Sequence, residues 1–386
     1  MIKFRMVDSV CVGNWHLRFN TQLLEMLAYS SDFVEYRGAQ KICVSRSNVN
    51  FKKIFVIKSL NRWGIISRLF VSAMIDLWQL FVTPSCEIII YSFDSTVSIR
   101  LINVFNKILN KRVIMFRHGS MEMLLSSSVD NGFIYKFERK LIRLFFLNPH
   151  LEISSNLYFY VLGDVIKKNL HEYLSPDKMR HFLSIDLLSN FDNNYPLIRT
   201  NNVQKLSIGT VGVFSEYKGG IYMLKLADIL STSFSHNINL SVTGKIDFNL
   251  NLLHQAGINL PRNNGVEMIS PEEMKERISN LDFILYFYSN DTYRLTASGA
   301  LFDAVNYKKP IIALRNEYFE YFFMKYGKLG YLVDTIEDMA ILITRICNGD
   351  EKIGYFNFNE IQSKLTIPTL SEIFVDNLRK IEFIKK

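Results

Sequence analysis

FILYFYSNDTYRLTASGALFDAVNYKKPIIAL, residues 283–314, states the fold most plainly. An apolar run of strand length at 283–287 leads through a polar stretch into the small-residue turn Thr296-Ala297-Ser298-Gly299. A helix over 299–307 and a second apolar run at 310–314 follow. Strand, helix and strand in that order make a βαβ unit, whose two strands run parallel because the helix carries the chain back to the starting end. Further upstream lie a helix at 271–280, strands at 266–269 and 239–242, a helix at 219–230 with Ile221, Leu224 and Ala227 on one side, and a strand at 206–211. Ser270, Pro271 and Glu273 give the 271–280 helix an N-cap acceptor, a first residue of fixed φ and the acid of a capping box.

Between 189 and 205 the periodicity fails in a polar, turn-rich stretch that reads as a linker. Before it, strands at 9–12, 54–57, 87–92, 113–116 and 157–162 alternate with helical patterns that include 14–28, with Leu17, Leu23, Leu24 and Leu27, and 97–109. The expectation is an α/β protein of two Rossmann-like domains, 1–188 and 206–386, whose parallel sheets face an interdomain cleft. A last helix at 370–384, with Ile373, Phe374, Leu378 and Ile381 on one side, is free to pack back on the N-terminal domain.

Composition agrees. At 386 residues the chain suits two domains, and 48% apolar against 21% charged residues excludes disordered, collagen-like and coiled-coil classes. Cys11, Cys43, Cys86 and Cys347 are scattered without zinc-ligand or redox spacing, which fits a reducing compartment and a cytoplasmic location. The greasy stretch 64–83 carries Arg68 and Asp76, which argues against a membrane span, and residues 1–5 open no secretory leader. The net charge of +8 is unevenly spread: residues 1–180 hold 24 Lys and Arg against 14 Asp and Glu, the remainder 21 against 23. A basic, aromatic-rich first half, with Lys52, Lys53, Lys58, Arg62 and Arg68 near Phe51, Phe55, Trp63 and Phe70, suits nucleic acid or an anionic membrane surface.

In open parallel sheets ligands sit beyond the carboxyl ends of the strands, so the residues after each strand are the candidates. In the first half these are Gly13 with His16, Asp94, and His118-Gly119. A histidine there can serve as general base or as a structural imidazole bonded to backbone; His16 and Asp94 are the other candidate bases. In the second half, Lys218-Gly219 places a point charge and flexible backbone at a helix start, and Gly244 follows its own strand. Thr296, Ser298 and Gly299 open a helix whose free amides and dipole suit a diphosphate, with Asp303 one turn in to reach a ribose hydroxyl and Arg294 just before. No His, Cys, Asp or Glu cluster has metal-ligand spacing, and Asp-x-Asp is absent, so no metal or other cofactor is expected.

In this order the motifs resemble the nucleotide-binding half of GT-B glycosyltransferases, above all the large retaining family 4. The resemblance implies that Lys218-Gly219 holds donor phosphate, that Gly244 lies by the nucleotide, and that Asp303 is the second acid of the E-x7-E element. It also implies that His118 lines the donor sugar. Two departures stand out: Leu295 occupies the place of the first acid, and Val213-Phe214-Ser215 replaces an arginine, for which Arg294 can substitute. The implied activity is transfer of a sugar from a nucleoside diphosphate donor to a hydroxyl of a glycan or lipid-linked acceptor in bacterial surface-polysaccharide assembly, without nucleic-acid partners. A nucleotide-sugar epimerase and a non-catalytic nucleotide-binding protein are the alternatives.

Overall fold

The computed structural model describes residues 2–58, 61–125, 132–187, 191, 205–234, 237–289 and 293–385; apart from Phe191 and Lys205, the expected linker lies outside them. The chain forms two compact units. One takes in Met1–Asn190, Leu295–Ala297 and Leu365–Lys386, the other Phe191–Arg294 and Ser298–Lys364.

The first unit runs β1 (Lys3–Asp8), α1 (Leu17–Tyr29), β2 (Phe33–Gly38), β3 (Val49–Lys53), α2 (Arg62–Val82), β4 (Ile88–Phe93), α3 (Ser98–Leu109), β5 (Val113–Arg117), a 3-10 turn (Ser120–Leu124), α4 (Phe133–Phe146), β6 (Leu157–Val161), α5 (Asp164–Leu170), α6 (Pro176–Met179) and β7 (Phe182–Ser184). Its sheet has the order β3-β2-β1-β4-β5-β6-β7, with every pairing parallel. The first strand is not the expected 9–12. Lys3–Asp8 pairs with β2 and β4 instead, and its apparent defect, Arg5, is buried between Glu35 at 3.1 Å and Glu87 at 3.0 Å. Residues 9–12 turn because the Asp8 carboxylate accepts the N–H groups of Val10 (3.0 Å) and Cys11 (2.8 Å). The expected strand at 54–57 likewise shifts to Val49–Lys53, an edge strand whose charges face water.

Phe4 and Met6 of β1 point to a core shared with Leu23, Leu24 and Leu27 of α1. The chain's last helix, Ile367–Lys380, closes that core with Leu370, Phe374 and Leu378, each fully buried. Burial of each such side chain stabilises by about 1.5–3 kcal/mol. α2 and α3 pack on each other.

The second unit runs β8 (Leu206–Val211), β9 (Phe214–Ser215), α7 (Gly220–Phe234), β10 (Ile238–Thr243), β11 (Ile246–Asp247), α8 (Leu250–Gln255), α9 (Pro271–Ser279), β12 (Phe283–Tyr286), α10 (Gly299–Asn306), β13 (Ile311–Leu314), α11 (Glu317–Tyr326), β14 (Gly330–Val333), α12 (Ile336–Asn348) and α13 (Phe358–Lys364); α14 (Ile367–Lys380) belongs to the first unit. The sheet order is β10-β8-β12-β13-β14, again parallel. The expected strand at 266–269 is absent: Val266 and Met268 are exposed, so their alternation covers no core. α9 starts as its sequence requires, with the Ser270 hydroxyl accepting the Glu273 N–H at 3.1 Å.

Candidate functional site

Each sheet changes winding direction once, and the open crevice of a doubly wound sheet lies beyond that point. In the first unit it falls between β1 and β4. Gly13 stands in the exposed loop after β1 with φ +57°, and its carbonyl accepts from Gln40 at 2.9 Å. His16 follows at the start of α1, itself left-handed at φ +54°, with its ring stacked 4.5 Å from Phe93. His118, just after β5, stacks on the same Phe93 at 4.0 Å and 8° and meets the edge of Phe19 at 4.1 Å. The two histidine rings are 5.9 Å apart.

His118 Nε2 lies 3.0 Å from the Ser92 carbonyl, which can only accept, so Nε2 carries the proton and Nδ1 the lone pair. Burial, then the neighbouring His16, pushes the His118 pKa well down. Desolvation of its ring lowers that of His16 to about 4, although the residue as a whole is exposed. The uncharged His118 ring leaves the Nδ1 lone pair as a proton acceptor, while the lowered pKa makes it a weaker base than a free imidazole. The bond to Ser92 shows that His118 also has a structural role. Because folding favours the uncharged rings, their contribution is full above the ordinary histidine value near 6.5 and is lost as pH falls through the lowered one. Asp94 works the other way: its pKa, raised to about 6, favours folding in acid, and that contribution is lost as pH rises through about 6. We expect His118→Gln to flatten the loss of thermal stability as pH falls below about 6.5; a slope identical to the parent's would place the acid sensitivity elsewhere.

Asp94 corrects an expectation. Its side chain is 2% exposed and turned inward onto the Arg117 guanidinium, and burial raises its pKa despite that partner. It holds the ends of β4 and β5 together and does not face a ligand. Leu295, in the place of the missing acid, is fully buried, and its N–H donates 2.6 Å to the Glu122 carboxylate. Next to it the Thr296 hydroxyl reaches the His118 carbonyl at 3.4 Å. Glu122, on the 3-10 turn after His118-Gly119, is thus a buried acid beside Leu295 that the linear sequence does not reveal, since the two lie far apart in the chain.

In the second unit the reversal falls between β8 and β12, and the remaining candidates meet there. Gly219 needs its φ of +88°, and a Cβ on it would strike Phe287 beyond β12. Gly244, at φ +140°, would drive a Cβ into the Gly212 carbonyl after β8. Ala300, on the first turn of α10, is 3.6 Å from where a Gly212 Cβ would sit. Lys218 is desolvated there, its pKa lowered by burial and drawn back up by the charge of Asp303. Ser298 is buried and caps α10, accepting the Leu301 N–H at 3.3 Å while its own hydroxyl points at Tyr288 Oη, 3.5 Å away. Gly299 is exposed with nothing within 4 Å of a Cβ, so the helix start is open at that residue. Arg294 lies 3.4 Å from the Glu317 carboxylate.

Three tyrosines complete this corner. Tyr288 and Tyr293 stack face to face at 4.0 Å, Tyr217 lies 6.0 Å from Tyr293, and burial pushes the Tyr288 hydroxyl up to about 12. Their stacking has no signal in the linear sequence beyond the aromatic run at the end of β12. Among the described residues no three His, Cys, Asp or Glu side chains gather as metal ligands.

No protein-family model matches the chain, and no curated protein matches it by sequence. Solved structures do. HepE from Anabaena, solved with UDP and glucose, superposes with a TM-score of 0.60 at 8% identity over 98% of this chain and 100% of that one. The lipopolysaccharide outer core galactosyltransferase WaaB gives 0.56 at 12% over 99% and 100%. S. aureus TarM gives 0.53 at 13% over 80% of this chain, which spans only 58% of TarM's length. What these likenesses show is the fold: two Rossmann-like units of the GT-B type.

Proposed function

We propose that this protein is a glycosyltransferase that takes a nucleoside diphosphate sugar in its second unit and passes the sugar to an acceptor hydroxyl. One observation carries the reading: the desolvated ammonium of Lys218, the open start of α10 at Ser298-Gly299 and the carboxylate of Asp303 share the crevice of that unit's sheet. Lys218 and the helix-start amides neutralise the diphosphate as it departs, without a metal, and Asp303 takes a ribose hydroxyl. Gly219 and Gly244 let backbone approach where side chains would collide. His118, uncharged and with Nδ1 unprotonated, is the candidate base toward the acceptor. UDP is the first nucleotide to try, since HepE was solved with it. A glycan or lipid-linked acceptor fits the kinship in fold with WaaB.

The test is incubation with a panel of UDP-sugars, with and without polyprenyl-linked or glycan acceptors. We expect UDP release that depends on acceptor. Isomerised sugar without acceptor would instead make the protein an epimerase, and tight UDP binding with no turnover a non-catalytic nucleotide-binding protein.

A further inference from the structure

α2 is the one helix among the described residues that is long and apolar enough to cross a membrane, yet its inner face is tied to the first unit. The Ser72 hydroxyl donates to the Ser9 carbonyl at 2.6 Å, the Asp76 carboxylate accepts the Ser95 N–H at 3.1 Å, and Gln79 accepts from Arg37 at 2.6 Å. Tyr91 adds a hydroxyl bond to the Asp76 carbonyl at 2.7 Å. Pulling α2 away to span a bilayer would strand these polar groups in hydrocarbon.

Its outer face is the reverse. Trp63 is 77% exposed, Met74 62% and Trp78 63%, with Phe70 and Phe81 exposed between and beyond them. These positions recur at helical spacing and form a single apolar stripe. Phe55, 71% exposed, joins Phe70, Met74 and Trp78 in lining a groove beside it. α3, packed against α2, adds exposed Val104 and Ile108. Cations outnumber acids around the stripe, with Arg37 and Lys52 paired to Glu35 and the others left to face outward charge. Residues 36–75 contain eight Lys and Arg and no Asp or Glu, and the sole acid of α2 and α3 is the buried Asp76. Lys53 and Lys58 are exposed next to Phe55.

We propose that this face seats the protein on an anionic lipid bilayer, with α2 lying in the plane of the interface and its stripe immersed below the headgroups. Two exposed tryptophans at either end of an apolar stripe, flanked by cations, is the pattern of an interfacial helix. Charge selects this occupant over a second copy of the chain. A symmetric dimer through the stripe would bring two acid-free basic segments together, whereas anionic headgroups complement both. The proposal does not depend on the enzymatic reading, although a lipid-linked acceptor would be presented at such a surface.

Sedimentation of the full chain with vesicles tests it. Binding should be weak to phosphatidylcholine alone, rise steeply with phosphatidylglycerol content, fall at high salt and shift tryptophan emission to the blue. Met74→Glu with Trp78→Glu should reduce vesicle binding tenfold or more, and Lys53→Glu with Lys58→Glu several-fold at low salt. Both double variants should keep the parent's circular dichroism and UDP affinity. Equal vesicle binding by parent and the Met74/Trp78 variant would overturn the proposal, as would a solution dimer that this variant dissociates. Vesicle binding by a protein that fails to bind any nucleotide would sink the enzymatic reading alone.

Discussion

Lys218→Ala will weaken UDP binding by roughly ten- to a hundredfold, as isothermal titration would show, with the unfolding midpoint unchanged or raised. The size follows from a charge-assisted contact to phosphate, about 1.5–3 kcal/mol. The unchanged midpoint follows from the setting: Lys218 is desolvated, and the charge of Asp303 only partly offsets that cost in the ligand-free protein. A surface lysine would give neither result. Asp303→Ala should cost less affinity, since it removes a neutral-partner hydrogen bond to the ribose while also leaving Lys218 without its counter-charge. Parent-like affinity in both variants would remove the diphosphate from this corner.

Arg117→Met should destabilise the first unit by about 3–5 kcal/mol in denaturant melts. The guanidinium and the Asp94 carboxylate are both almost wholly buried, and removal of one partner leaves the other's charge uncompensated. The neighbourhood sharpens the effect, because fully buried Asp76 already has its pKa driven up by burial and by the charge of Asp94. Without Arg117, two buried carboxyl groups would be left with no cation between them. Adding Asp94→Asn to Arg117→Met should recover much of the loss. Failure of the double variant to recover would mean that packing of the arginine stem, and not its charge, holds β4 to β5.

The parts of the fold legible in the chain were those with local causes. The βαβ run from β12 to β13, the capped start of α9 and the strands β4, β5, β6 and β8 lie close to their expected positions because apolar runs and caps are short-range signals. β1 was misplaced because its charges make sense only with Glu35 and Glu87, which come from β2 and the residue before β4. The candidate site divides the same way. Lys218, Gly219, Gly244 and Ser298-Gly299 were readable as glycine turns and a helix start. The inward rotation of Asp94, the closure of Leu295 under Glu122 and the stack of Tyr288 on Tyr293 are tertiary facts that no window of sequence contains.

α14 also has a bearing on biosynthesis. Its Phe374 packs 5.9 Å from Phe4 and its Ser371 hydroxyl bonds to the Met26 carbonyl, so the opening residues of the chain complete their hydrophobic interior with residues translated long afterwards. While the ribosome is still reading the second unit, Leu23, Leu24 and Leu27 await their cover. A fragment truncated before residue 365 should therefore precipitate or degrade even though it contains every strand of both sheets.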